Sequence, residues 1–104
     1  MKSFNINVPM IRKIQVKILS SLLDAPLNKL AVFLNTNFSQ LFRLNPEEGK
    51  SFDLAWSMLS DEGMVYSDVH EIGIHSEAIA LANRFVGTLN EYFSTPQDAS
   101  CCRI

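Results

Sequence analysis

Between Ser51 and Leu81 a helix, a tight hairpin and a second helix follow one another with almost no linker, which restricts the chain to a small α+β architecture. The first helix starts before Ser51. Asn45 is a favourable N-cap, Pro46 suits the first helical position, and Glu47 and Glu48 supply first-turn acids, with Glu48 placed to close a capping box. The spacing predicts a helix over 46–62, with Phe52, Ala55, Trp56 and Leu59 on one buried face and Gly63 taking the left-handed conformation that stops it. Trp56 is expected to be largely buried beside Phe52 and Leu59, so that truncation to Ala would cost about 3–5 kcal/mol. Met64–Tyr66 and Ile72–His75 read as two short strands joined by a polar tip of Ser67, Asp68, Val69 and His70. Ser76 then caps a helix over 77–94, with Glu77 favourably placed against its dipole.

Upstream, Phe4, Ile6 and Val8 alternate with polar residues and suggest a short strand, ended by Pro9, that could pair with the hairpin. From Met10 to Asp24, Ile11, Ile14, Ile18 and Leu22 form one apolar stripe opposite Lys13, Lys17 and Asp24, the pattern of a helix packed on one side. Pro26 breaks it. Leu27, Leu30, Ala31, Leu34, Phe38, Leu41 and Phe42 resume helical spacing, with Asn35, Thr36 and Asn37 able to split 27–44 into two short helices. The predicted fold class is mainly α (α+β), about four helices with a small β-hairpin.

This succession resembles the winged helix-turn-helix superfamily, in which a third helix runs through Leu-x-x-x-x-Leu into a Gly followed by two wing strands. The residues that carry the likeness are Leu54, Leu59, Glu62, Gly63, Met64, Val65, Ile72, Ile74 and the segment Ala80 to Ala82. About ten extra residues separate the second helix from the third relative to the usual family spacing. The resemblance implies a winged-helix-like shape and points to Glu47, Glu48, Lys50, Ser51, Asp53, Leu54, Ser57 and Asp61 on the third helix, with the tip 67–70, as the surface that would meet DNA.

Charge weighs against that use. Residues 1–46 carry six basic residues and one acid, a formal +5, and residues 47–104 carry three basic residues and ten acids, a formal −7. Affinity for nucleic acid comes largely from Lys and Arg neutralising phosphates, yet the carried-over surface holds five acids and one base, Lys50. Arg12, Lys13 and Lys17 would serve a DNA-binding regulator only through a different face. Lys50, Ser51, Ser57, Arg12, Lys13 and Lys17 are therefore the candidate partner or DNA surface, and a protein partner is favoured over DNA. The two charged halves either compensate across one domain or present a basic and an acidic patch to partners.

One domain over 1–95 and a flexible tail over 96–104 are expected, since 104 residues bury roughly two thirds of their unfolded surface. No apolar run approaches the about 20 residues that span a bilayer, and the first ten residues lack the apolar core of a signal peptide, so no membrane role and a cytoplasmic location are expected. Cys101 and Cys102 are adjacent and read as reduced thiols in a frayed end. No catalytic constellation is recognisable. His70 and His75, five apart on a hairpin, point to opposite faces and find no third ligand, and Gly49, Gly63, Gly73 and Gly87 form no phosphate-cradling loop. An enzyme, a metal site and a cofactor are not expected.

The last helix carries two apolar stripes. Ile79, Ala82, Val86, Leu89 and Phe93 repeat at 3–4 spacing, and Ala78, Leu81, Phe85 and Tyr92 run beside them. A small core needs one stripe, so the second either belongs to a fully central helix or finds a partner. Ala78, Leu81, Phe85, Leu89 and Tyr92 form the candidate dimer interface, in which this helix would pack on its symmetry mate. On either reading Phe85 and Leu89 are expected to be buried.

Overall fold

The computed structural model describes residues 8–94, with side chains described through residue 89. Phe4 and Ile6 of the expected first strand, the expected tail 96–104 with Cys101 and Cys102, and the side chains of Tyr92 and Phe93 lie outside these bounds. Val8 and Pro9 open the first helix, α1 (Val8–Asp24), instead of ending a strand. Proline is well placed there, because the first-turn N–H it lacks would have no helical partner.

The expected stripe of α1 is inside: Ile11, Ile14, Ile18 and Leu22 are buried, and so are Gln15, Val16 and Leu19. The buried face is broader than one stripe because α1 packs against several elements, chiefly α4 (Phe52–Asp61), α5 (Ile79–Ser94) and β3 (Glu71–Ile74). After Asp24 the chain reverses through a single 3-10 turn, Pro26–Asn28, with Leu27 and Asn28 in the left-handed region at φ 60° and 57°. Asn28 Nδ2 donates to the Leu23 carbonyl at 3.2 Å, satisfying one of the acceptors left open at the end of α1.

The expected helices over 27–44 are mostly absent. Lys29–Ala31 is a strand, β1, and only Phe38–Leu41 is helical, as α2, with Asn37 Oδ1 accepting from the Gln40 N–H at 3.1 Å. The left-handed turn after Pro26 aims the chain along β3, and three-residue apolar segments are too short for periodicity to separate strand from helix. Leu27 and Leu34, which fell on the expected helical spacing, are exposed. A third left-handed residue, Arg43, ends α2, where the Leu44 N–H reaches the Ser39 carbonyl at 2.7 Å.

The helix expected over 46–62 is two helices, α3 (Pro46–Gly49) and α4, separated by Lys50 and Ser51. The Asn45 capping box forms as the sequence indicates: Asn45 Oδ1 accepts from the Glu48 N–H at 2.7 Å, and Glu48 Oε1 accepts from the Asn45 N–H at 3.0 Å. Gly63 ends α4 at φ 75°, and the Met64 N–H closes on the Leu59 carbonyl at 3.1 Å.

The hairpin of β2 (Val65–Ser67) and β3 pairs Val65 with Ile74 and Ser67 with Ile72. The third strand is β1, which pairs Lys29 with Gly73 and Ala31 with Glu71, so the antiparallel order is β1-β3-β2. Ile72 and Ile74 point into the core, while Lys29, Tyr66, Glu71 and Gly73 share the other face. On that face the Tyr66 hydroxyl donates to Glu71 Oε2 at 2.8 Å, and Lys29 Nζ lies 3.5 Å from Glu71 Oε1, tying all three strands. The Glu71 carboxylate, with burial and nearby Asp68 adding to it, raises the Tyr66 pKa above its ordinary value. A further 3-10 turn, Ser76–Ala78, precedes α5, and Ser76 makes no side-chain cap, its hydroxyl donating instead to Glu77 Oε1 at 3.3 Å.

Gly73 is where the sheet depends on a missing side chain. A Cβ there would come within 2.7 Å of the Tyr66 hydroxyl oxygen and 2.9 Å of the Asn28 carbonyl oxygen. The backbone carbonyl cannot give way easily. Gly73→Ala is therefore expected to cost about 1–3 kcal/mol through overpacking, read as a lowered thermal midpoint; an unchanged midpoint would show that this strand face has slack.

Candidate interaction surface

Lys17 and Glu48 fix the distance between α1 and the start of α3. Lys17 Nζ lies 2.7 Å from Glu48 Oε1 and donates a second bond to the Arg43 carbonyl at 3.3 Å. Glu48 is only 4% exposed and accepts from the Asn45 N–H through the same carboxylate, so it belongs to the interior and not to a DNA-facing surface. Burial pushes its pKa up, but the Lys17 hydrogen bond, the Asn45 N–H and the charges of Lys17 and Lys13 outweigh it and leave the pKa below its ordinary 4.5.

The remaining carried-over positions are scattered. Lys50 reaches Glu47 at 4.0 Å, Ser51 is half-buried, and Ser57 is exposed. On α4 the open face consists of Asp53, Leu54, Ser57, Ser60 and Asp61, and Leu54 is 41% exposed among the acids. Asp53, Asp61 and the neighbouring Glu62 have no ion-pair partner among the described residues.

The three basic residues of α1 diverge. Lys17 is committed to Glu48, Lys13 is exposed, and Arg12 turns toward α5, its guanidinium 5.7 Å from the centre of the Phe85 ring. Arg12 Nη1 also donates to Gln15 Oε1 at 2.8 Å, while Gln15, 1% exposed, donates from Nε2 to the Ala55 carbonyl of α4 at 3.2 Å. One polar chain thus links α4, α1 and the cation above Phe85, holding Arg12 in place.

The two stripes of α5 do not divide into a buried one and an open one. Ala78 and Ala82 are in the core and Ile79, Phe85 and Val86 pack against it, whereas Leu81 is 45% exposed; Phe85 and Leu89 are only half-buried, less than the sequence led one to expect. Leu81, Phe85 and Leu89, with Arg12, Arg84 and Thr88, line an open groove of about 350 Å³ between α1 and α5. No acid lines it. Ala78 of the candidate interface faces the core instead, and Tyr92 falls outside the described side chains. Arg84 and Thr88 carried no periodic signal, and Arg12 could not be joined to a helix more than sixty residues away without the packing of α1 on α5.

Trp56 is half-buried, at the outer end of a row in which Phe42 is buried and Phe38 and Phe52 are half-buried, with Phe52 and Trp56 ring centres 6.1 Å apart. Its truncation is therefore expected to cost less than the about 3–5 kcal/mol of a fully buried aromatic, because Ala55 and Leu59, not Trp56, are the buried residues of α4. His75 lies against Tyr66, ring centres 5.4 Å apart, and His70 is exposed at the hairpin tip. Among the described residues there is no group of three or more His, Cys, Asp or Glu side chains that could hold a metal, and no helix long and apolar enough to cross a membrane. Comparison with protein-family models, curated proteins and solved structures finds no match for this chain.

The lowered Glu48 pKa has a defined consequence. Its contribution to stability is complete above the ordinary carboxylate value near 4.5 and is lost as pH falls through the lower folded value. Lys17→Met should cost about 1–3 kcal/mol at neutral pH, less than a fully buried pair because the lysine side chain retains 36% exposure. The same variant should lose less further stability than the wild type on acidification below about pH 4.5. Denaturant titrations of both proteins across that range would check this, and parallel acid limbs would refute the assignment.

Proposed function

We propose that this chain is a protein-binding module of winged-helix-like shape that acts as a homodimer, binding rather than catalysing, with the second copy covering the open strip of α5. The helix that ends at Gly63 and runs directly into a hairpin supports the winged-helix-like shape. The observation that carries the binding role is the groove-lining row of exposed Leu81 and half-buried Phe85 and Leu89 on a helix whose Ala78 and Ala82 already lie in the core. A contiguous apolar strip of this kind is stabilised when a partner removes it from water. Arg12, fixed over Phe85, and Arg84 supply polar anchoring beside it, the composition of a protein contact centre with aromatic and Arg residues.

The alternative, a DNA-binding regulator, would use the face that winged-helix proteins turn to the duplex. The exposed acids Asp53, Asp61 and Glu62 on and beside α4, opposed by a Lys50 that is itself near Glu47, argue against it. Retention on mixed DNA should be weak and unspecific at physiological salt.

Sedimentation velocity tests the proposal. The wild type should sediment as a dimer at micromolar concentration, and Leu89→Asp, which puts a charge on the apolar strip, should sediment as a monomer with an unchanged circular-dichroism spectrum. A wild type that stays monomeric at high micromolar concentration would overturn the homodimer.

A further inference from the structure

The groove between α1 and α5 is charged on one side of the ledger only. Its apolar floor of Leu81, Phe85 and Leu89 is bordered by two guanidinium groups and no carboxylate. Arg84 has no ion-pair partner among the described residues, and Arg12 is held by Gln15 and the Phe85 ring instead of by an acid. Packing α5 on its own symmetry mate would cross the two helices near Phe85. Arg84, next in sequence to that centre, would then approach its own copy, an unfavourable juxtaposition of like charges in a seam that excludes water.

The chain itself carries the complementary surface. On α4, exposed Leu54 shares the solvent face with Asp53, Ser57, Ser60 and Asp61, so an exposed apolar residue lies among acids that have no ion-pair partner among the described residues. This is the converse of the groove, in which apolar residues are flanked by unpaired bases. We propose that, in the homodimer suggested above, each copy inserts Leu54 of α4 into the other copy's α1–α5 groove, with Asp53 and Asp61 set against Arg84 and Arg12.

Closure of such a contact requires the two surfaces to lie near one another on each copy. They do border one helix. α1 packs against both α4 and α5, and the chain from Arg12 through Gln15 to the Ala55 carbonyl joins the groove's edge to the residue that follows Leu54. A two-fold axis beside α1 would let groove meet α4 twice, whereas the same surfaces placed on opposite sides of the molecule would propagate into an open chain. The inference rests on the homodimer reading and adds to it which faces meet.

Charge exchange separates the two. Arg84→Glu in one sample and Asp53→Lys in another should each weaken self-association by about tenfold or more, since like charges then face each other at positions 84 and 53 in both halves of the dimer. Both positions are exposed, so the fold should survive in both. Mixed in equal amounts, the two variants should form a heterodimer close to wild-type affinity, because positions 84 and 53 again pair a base with an acid in each half while Arg12 and Asp61 are unchanged. Leu54→Ala should also weaken the wild-type dimer. A wild-type dimer that Leu89→Asp dissociates, but that both charge variants retain and the mixture does not restore, would overturn the reciprocal insertion and leave the homodimer standing. Assembly that grows past the dimer with concentration would overturn it too. A monomeric wild type would overturn both and leave the groove to an acidic partner of different origin.

Discussion

The contact between Lys17 and Glu48 holds the arrangement of the helices. Glu48 is asked to do two things at once: it completes the N-terminal cap of α3, and it receives the Lys17 ammonium of α1. A carboxylate that deep in the protein is stabilised only while both the N–H and the ammonium are present. The pair therefore sets where α3 starts relative to α1. Through the short break at Lys50 and Ser51 it also sets where α4 presents its acids.

Around that contact α1 is the common wall of the fold. Ile14, Ile18 and Leu22 supply apolar area to the sheet and to the neighbouring helices, and Gln15 supplies a polar link in the middle of it. A buried amide is costly unless its groups are paired. Here the Ala55 carbonyl and the Arg12 guanidinium pair both ends, so the same residue that satisfies the core also fixes the cation at the groove. The interior and the candidate surface are in this sense one network.

The charge imbalance along the chain takes a spatial meaning from this packing. Some of it is neutralised inside the molecule, as Lys17 with Glu48 and Lys29 with Glu71. The remainder is not smeared evenly: Arg12 and Arg84 come together from opposite ends of the chain, while Asp53 and Asp61 stay on α4. A surface that separates its unpaired charges next to apolar residues gains more from a partner of opposite pattern than from solvent alone.

What the sequence by itself determined are the features whose cause is local. The Asn45 capping box, the stop at Gly63, the hairpin that follows and the inward stripe of α1 each depend on residues within a turn or two, and each is where the pattern put it. The tertiary structure decided the rest. Lys29–Ala31 is a strand because β3, some forty residues on, offers it hydrogen bonds, and Leu27 and Asn28 adopt left-handed conformations that turn the chain toward it; neither cause is visible in a three-residue window. Likewise the spacing of α5 announced two apolar stripes without saying which of their residues would be open. Only the packing of α1 on α5 and the rest of the core buried Ala78 and Ala82, left Leu81 in solvent and brought Arg12 over Phe85, because burial belongs to pairs of elements and not to one.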